Sequence, residues 1–274
     1  MSGWGEQLAK IWTNNVAPSR PSCAELCVYS KYINLLRESK KDRLSVLILG
    51  STPEFRDWAF EEDMRISVVD KSESYYSCIS RELRHKNLQE RLYVSSWETM
   101  RIPDIFDVVI GDLSVGNIAP CDFPVFLNNV SRLLSDDGLF LGKTFLWREE
   151  DPIESPIQII EHFKKSIRIH PYTYINHRLG LYCLDKSTRL IDFSKMYSEL
   201  ELLFNQGFLD EEIFQYFKDV GWDTEMKFQF FSPSREEFID EVNKVMNFEG
   251  FVETTDDYSA QFPIYVVRCN RRKR

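Results

Sequence analysis

The chain has 274 residues and carries 34 basic against 43 acidic side chains, a formal charge of −9 with histidine neutral. With 43% apolar and 14% aromatic residues it has ample material for a packed core, is too apolar for a disordered chain, and suits one large domain or two small ones. The acidic balance argues against a dedicated nucleic-acid binder, which needs a basic face to displace phosphate counterions, and no apolar run approaches the roughly 18 residues of a transmembrane helix.

Taken in chain order, Trp4, Leu8, Ile11 and Trp12 fall at helical spacing. They sit in a start, MSGWGEQLAKIW, that lacks the charged and then apolar pattern of a secretory signal. Pro18 and Pro21 interrupt the chain, and Cys23–Arg37 predicts a second amphipathic helix. Residues 1–43 are therefore expected to be an N-terminal helical lid segment.

Residues 44–150 have the clearest rhythm. Short, β-branched apolar runs at Ser45–Leu49, Ile66–Asp70, Leu92–Ser95, Asp107–Gly111 and Leu139–Leu146 alternate with helical stretches at Glu54–Glu62, Ser72–Asn87 and Asp122–Leu134. Continuous apolar runs suit strands buried on both faces. Five β–α alternations imply a parallel, doubly wound sheet with right-handed crossovers.

Asp151-Pro152 and Ser155-Pro156 mark the next boundary. Residues 151–221 read as a helical insertion, with helices at Ile157–Ile167, Phe193–Phe204 and Glu211–Val220. Residues 222–274 read as strands and a helix that complete the sheet. The strands are Glu225–Phe231, Phe251–Thr254 and Ile264–Arg268; the helix opens at Ser234 with Glu237 three residues on, a capping-box spacing. The terminal Arg271–Arg274 is read as a solvated end. The six cysteines (Cys23, Cys27, Cys78, Cys121, Cys183, Cys269) have no CxxC pair and no histidine at ligand spacing. They are expected to be reduced thiols of a cytoplasmic protein, with no metal site.

Open α/β sheets bind ligands at the carboxyl ends of their strands, so the residues following each run matter most. After the first come Gly50, Ser51, Thr52 and Pro53, small residues that let backbone approach a ligand, ahead of a helix start with free N–H groups. The second run ends in Asp70, followed by Lys71. A carboxylate there can accept both hydroxyls of a ribose, or simply cap the next helix. After the third, the Ser96 hydroxyl can meet the edge of an adenine and the Trp97 indole its face, although an indole is also a common packing residue. After the fourth come Asp112 and Leu113, where a carboxylate suits a cationic group.

The stretches VLILGSTPEFRDWA, ISVVDKS, YVSSW, FDVVIGDLS and LLSDDGLFLGKTF together resemble the class I S-adenosylmethionine-dependent methyltransferases over roughly Leu44–Trp147. They are nearest to a bacterial subgroup whose first loop reads LG-x-TPE. The resemblance implies a Rossmann-like sheet of seven strands with a reversed last strand, and S-adenosylmethionine as cofactor. Carried over residue by residue, Gly50, Ser51, Thr52 and Pro53 would lie under the methionine and ribose. Asp70, with Lys71, would take the ribose hydroxyls, and Ser96 and Trp97 would flank the adenine. Asp112 and Leu113 would face the methionine amino group or the substrate, with Asp112 as the catalytic candidate. A dinucleotide-binding oxidoreductase is the rival, but GSTPEF lacks the glycines of GxGxxG.

The expected activity is methyl transfer to a small molecule by in-line displacement. An enzyme that cyclises or eliminates the cofactor's side chain, and a non-catalytic binding module, are the alternatives. The fourth run lacks the [DN]-PP-[YFW] of nucleic-acid amino-methyltransferases, so no nucleic-acid and no membrane partner is expected. Tyr29, Tyr32, Tyr172, Tyr174, His177 and Arg178 are candidate lid residues around the acceptor. Arg148 could hold a carboxylate substrate or pair with Glu149–Asp151. Lys143, inside an apolar run, must be paired or deprotonated.

Overall fold

The structure is a computed structural model that describes residues 9, 12–40, 42–165, 170–223 and 228–269. Strands β1 (Ser45–Leu49), β2 (Arg65–Asp70), β3 (Glu90–Val94), β4 (Phe106–Asp112) and β5 (Leu134–Lys143) are parallel, and β9 (Asn247–Val252) and β10 (Ile264–Arg268) complete one sheet. Its order is β3-β2-β1-β4-β5-β10-β9, and β10 runs antiparallel to both neighbours. A parallel sheet needs cover on both faces, and the apolar runs supply it. On one face Val46, Ile48, Val108, Ile110, Leu141 and Val266 pack under α1 (Cys23–Ser39) and α2 (Pro53–Glu61) through Tyr29, Ile33, Phe55 and Trp58. On the other, Leu47, Val109, Phe140, Tyr265 and Val267 pack under α4 (Phe123–Leu133) and α9 (Arg235–Val245) through Phe126, Val130, Phe238 and Val242. Each fully buried aliphatic or aromatic side chain contributes roughly 1.5–3 kcal/mol of burial free energy.

Helix α3 (Glu73–Ile79) is shorter than the stretch Ser72–Asn87 suggested, continuing only as a 3-10 turn to Glu82. The cause lies outside the segment. The Asp57 carboxylate on α2 accepts the backbone N–H groups of Arg84 (2.9 Å) and His85 (3.0 Å), which holds that chain in an irregular path.

The region after β5 builds a third core. It contains α5 (Pro156–Lys165), α6 (Pro171–Cys183), α7 (Phe193–Asn205) and α8 (Glu211–Asp219), with a small antiparallel sheet β6 (Leu184–Asp185), β7 (Leu190–Asp192), β8 (Gln229–Phe231). Helix α6 and the β6–β7 hairpin are absent from the sequence reading. Helix α6 buries residues on most of its circumference, including Tyr172, Ile175, Leu179 and Leu181, so it shows little amphipathic contrast. The hairpin strands are too short to show alternation. Strand β5 starts five residues before the expected Leu139 and stops at Lys143, where the chain turns to give Leu146 N–H to Gln261 O at 3.0 Å. Trp4, Leu8, Ile11, the first residues of the Glu225–Phe231 strand and Arg271–Arg274 lie outside the described residues.

Candidate active site

The carboxyl ends of β1, β2 and β4 and the loop after β3 meet along one edge of the sheet. Gly50 ends β1 in the left-handed region at φ +85°, which only glycine adopts at low cost. A Cβ there would lie 3.5 Å from the Trp97 ring. Pro53 occupies the first turn of α2 and Thr52 precedes it without a side-chain cap. The first-turn N–H groups of Glu54 and Phe55 therefore have no intrahelical partner. Ser51 donates its hydroxyl proton to Asp70 Oδ2 at 2.6 Å, and Ser72 N–H donates to Asp70 Oδ1 at 2.9 Å. Asp70 is buried, and that burial raises its pKa against the opposing pull of the Ser51 bond. Lys71 is exposed.

The loop after β3 is tied down from two sides. Trp97 Nε1–H donates to Val69 O at 3.1 Å, the same oxygen that accepts Gly50 N–H at 2.9 Å. Asn129 on α4 donates to the carbonyls of Trp97 (3.1 Å) and Glu98 (2.8 Å). Trp97 is half-buried, and its other neighbour is Phe126. Ser96 Oγ lies 2.7 Å from Thr99 Oγ1.

At the end of β4, Leu113 adopts φ +51°, a left-handed backbone costing a non-glycine residue about 1–2 kcal/mol. Its N–H donates to Lys143 O at 3.1 Å. The turn brings Asp112 into a buried ionic cluster. Lys143 Nζ on β5 sits 2.8 Å from Glu25 Oε2, 3.0 Å from Glu25 Oε1, 3.0 Å from Arg20 O and 3.3 Å from Asp112 Oδ1. The side chains of Lys143, Glu25 and Asp112 are 0%, 2% and 4% exposed, so solvent screens none of them. One cation therefore faces two carboxylates. Burial pushes the Asp112 carboxyl up to about 7, Glu25 and Glu54 add to the rise, and Lys143 opposes it. Burial acts to lower the Lys143 pKa, but the two carboxylates more than reverse it and hold the ammonium charged.

Glu25 is the residue that sequence reading missed. Its signal was present, because Ser22 and Glu25 have capping-box spacing and form the box, with Ser22 N–H donating to Glu25 Oε2 at 2.9 Å. The long-range contact to Lys143 left no local trace. Other described residues of the N-terminal segment also cross this edge. Trp12 Nε1–H donates to Glu54 Oε1 at 3.3 Å, Arg20 pairs with Glu54, and Ala9 and Trp12 pack on Tyr75 and Ile79. On the far side Ser19 Oγ donates to Tyr172 OH at 3.1 Å and Thr173 Oγ1 to Ala17 O at 2.6 Å. Residues 12–22 thus bridge the first loop and α6.

The remaining candidates separate. Arg148 is held by Asp151, through Nε at 3.0 Å and a terminal nitrogen at 2.6 Å, the pairing the sequence offered as its alternative to a carboxylate substrate. His177 lies buried between Phe145 and Phe262, where burial brings its pKa down to about 3. Arg178 sits 3.7 Å from Glu154. Among the described residues no group of three or more His, Cys, Asp or Glu side chains could hold a metal ion, and no helix is long and apolar enough to cross a membrane.

No family model and no curated protein matches the chain. Solved structures do resemble it. One is described as a putative zinc-dependent alcohol dehydrogenase from Rhodobacter sphaeroides: 16% identity, 96% of this chain and 98% of that one, TM-score 0.56. Another is an S-adenosylmethionine-bound aminopentose methyltransferase of calicheamicin biosynthesis from Micromonospora echinaspora: 10% identity, 88% and 89% covered, TM-score 0.51. A third is an S-adenosylmethionine-dependent methyltransferase from Clostridium acetobutylicum: 12% identity, 88% and 91% covered, TM-score 0.52. With the strand order above, these likenesses give the chain the Rossmann-like methyltransferase fold.

Proposed function

We propose that the chain is an S-adenosylmethionine-dependent methyltransferase that acts on a small molecule. The observation that carries this reading is the convergence, at the carboxyl edge of a sheet with methyltransferase strand order, of Gly50, Asp70, Trp97 and Asp112 on four successive strand ends. The residues present fit the cofactor. Gly50 provides backbone without a side chain, and the first turn of α2 offers free N–H donors beside Ser51, Thr52 and Pro53. Asp70, next to Lys71, keeps lone pairs beyond those used by Ser51 and Ser72, available to ribose hydroxyls. Ser96 and the Trp97 ring flank the place of the adenine, and Asp112 with Leu113 faces the methionine end of the cofactor or the acceptor beside it.

The bound cofactor supplies a methyl group activated on a sulfonium. The protein's part is alignment and exclusion of water. The N-terminal segment and the helical insertion 151–221 act as a lid over the strand ends, and the acceptor takes its orientation from burial beneath them. Calorimetry with S-adenosylhomocysteine tests the cofactor assignment: micromolar or tighter binding supports it and no binding refutes it. Product analysis tests the reaction. S-adenosylhomocysteine marks methyl transfer, whereas methylthioadenosine marks attack on the cofactor's own side chain.

A further inference from the structure

We propose that the cluster formed by Glu25, Tyr29 and Asp112 around Lys143 is an ammonium-binding subsite, and that the methyl acceptor is an amine. This rests on the methyltransferase reading and adds the chemical class of the acceptor.

Two independent features point to a ligand. The first is charge. Glu25 and Asp112 face one lysine, and Glu54 is near enough to act on Asp112 as well. Glu54 has its own cation, Arg20, so with Asp112 ionised the cluster carries one negative charge in excess, which the free chain relieves by holding a proton on Asp112. A buried charge that lacks a counter-charge is costly, and a cationic ligand supplies it. The second is an orphaned donor. The Tyr29 hydroxyl is fully buried, has no hydrogen-bond partner, and lies within the field of Glu25 and Asp112. Asp112 Oδ1 has the Lys143 ammonium at 3.3 Å and no other partner. Buried polar groups are normally satisfied, and an ammonium with its three N–H donors fits Asp112 Oδ1, while the deprotonated amine can accept from Tyr29.

The same electrostatics exclude an anionic acceptor. A carboxylate would add a third negative charge beside Glu25 and Asp112, and Arg148, the cation the sequence offered for it, is held by Asp151. The groups facing Asp112 are Lys143 from β5, Glu25 and Tyr29 from α1, Glu54 from α2 and Tyr265 from β10.

The chemistry balances without a further reactant. The bound R–NH3+ gives one proton to the Asp112 carboxylate. The freed nitrogen lone pair attacks the methyl carbon of S-adenosylmethionine, the N–C bond forms, and the S–C pair stays on sulfur. The products are R–NH2CH3+, S-adenosylhomocysteine and protonated Asp112. A carboxyl brought up to about 7 is suited to this exchange. Lys143 acts as a positioning residue that holds Asp112 and Glu25 together. The cluster is closed from solvent, with Arg20 O seated on Lys143 Nζ, so a ligand enters only when the chain around Arg20 moves.

The test uses the full chain loaded with S-adenosylhomocysteine, so that failure to load refutes the methyltransferase reading and leaves the loaded complex to decide this one. Benzylamine, benzyl alcohol and benzoate serve as matched probes in calorimetry. Saturable binding of the amine, at least tenfold tighter than of the other two, is expected. Its affinity should fall at least tenfold in Asp112→Asn and in Glu25→Gln, with melting and circular dichroism confirming a folded chain. Tyr29→Phe, which removes one oxygen from a packed ring, gives a second variant that should weaken the amine while keeping the fold. A complex that binds none of the probes, binds benzoate or the alcohol as well as the amine, or holds the amine equally in all three folded variants overturns the proposal.

Discussion

Ser51 and Asp70 are joined by a 2.6 Å hydrogen bond that ties the loop after β1 to the end of β2. The same carboxylate accepts Ser72 N–H, so one acidic side chain fixes the two loops that would embrace an adenosine. Asp70→Ala should therefore act twice. Ser51 and Ser72 lose their acceptor, with a stability cost of roughly 1–3 kcal/mol. The ribose hydroxyls lose theirs, and affinity for S-adenosylhomocysteine should fall about 10- to 150-fold, equivalent to roughly 1.5–3 kcal/mol. Calorimetry on a variant shown to be folded separates the two effects; unchanged affinity removes Asp70 from the cofactor site.

Trp97 is anchored at its nitrogen, through Val69 O, and lies against Gly50. If its exposed ring surface meets the adenine, Trp97→Ala should weaken the cofactor by roughly 1–3 kcal/mol, the range of base–aromatic stacking. A purely packing role gives a lower melting temperature with affinity intact once folded. Both quantities measured on one variant decide between them.

How much of this was legible in the sequence follows from the range of the interactions. The run SVLIL became β1 at both of its predicted ends because burial on two faces writes itself as uninterrupted apolar residues. Pro53, Asp70 and Asp112 could be placed at strand ends and the helix start that follows because those runs locate the strands. Lys143 could be read only as a charge needing a partner. Its partner, Glu25, lies 118 residues away, and no spacing rule reaches that far. The short α3 has the same explanation, since Asp57 ends it from another helix. Helix α6 was hidden because burial on most of its sides erases the periodicity by which helices are recognised.

The Lys143–Glu25 pair should show strong coupling. Removing one partner of a buried pair leaves an uncompensated charge and costs about 3–5 kcal/mol. Lys143→Met should reach that range, because it leaves two carboxylates facing each other. Glu25→Gln keeps the capping-box geometry, so its cost reports mainly the charge. The double variant should be clearly more stable than the sum of the single losses, as measured by urea denaturation. Additive losses would falsify the pairing.

Asp112 should leave a signature in the pH dependence of stability. Its pKa is raised from the carboxylate range to about 7 in the folded chain, so between about pH 4 and 7 the native state holds a proton that the unfolded chain has released. Its contribution to stability is present at the acid end of that window and is lost as pH rises through it. Asp112→Asn removes this term. A urea-midpoint series at several pH values should show a less negative slope for the variant between pH 4.5 and 7; parallel slopes would place the Asp112 pKa near its ordinary value.

Gly116 offers a test of how the loop after β4 is fixed to the insertion. It lies in the 3-10 turn Val115–Asn117, three residues beyond Leu113. A Cβ added there would fall 1.9 Å from the Phe230 ring tip, with two more ring atoms at 2.1 and 2.4 Å. Phe230 stands on β8, is buried, and contacts Phe228. The ring has little room to withdraw, so the methyl group must push β8 away from the turn that carries Asp112 and Leu113. Overpacking of this kind costs roughly 1–3 kcal/mol, and Gly116→Ala should lower the melting temperature accordingly. The displaced turn should also weaken S-adenosylhomocysteine binding, although Gly116 touches no proposed ligand. Phe230→Leu removes the facing ring atoms, so adding Gly116→Ala to Phe230→Leu should cost much less than adding it to the unaltered chain. Equal cost in both backgrounds would show that the strain lies elsewhere and that β8 does not hold the Asp112 turn through this contact.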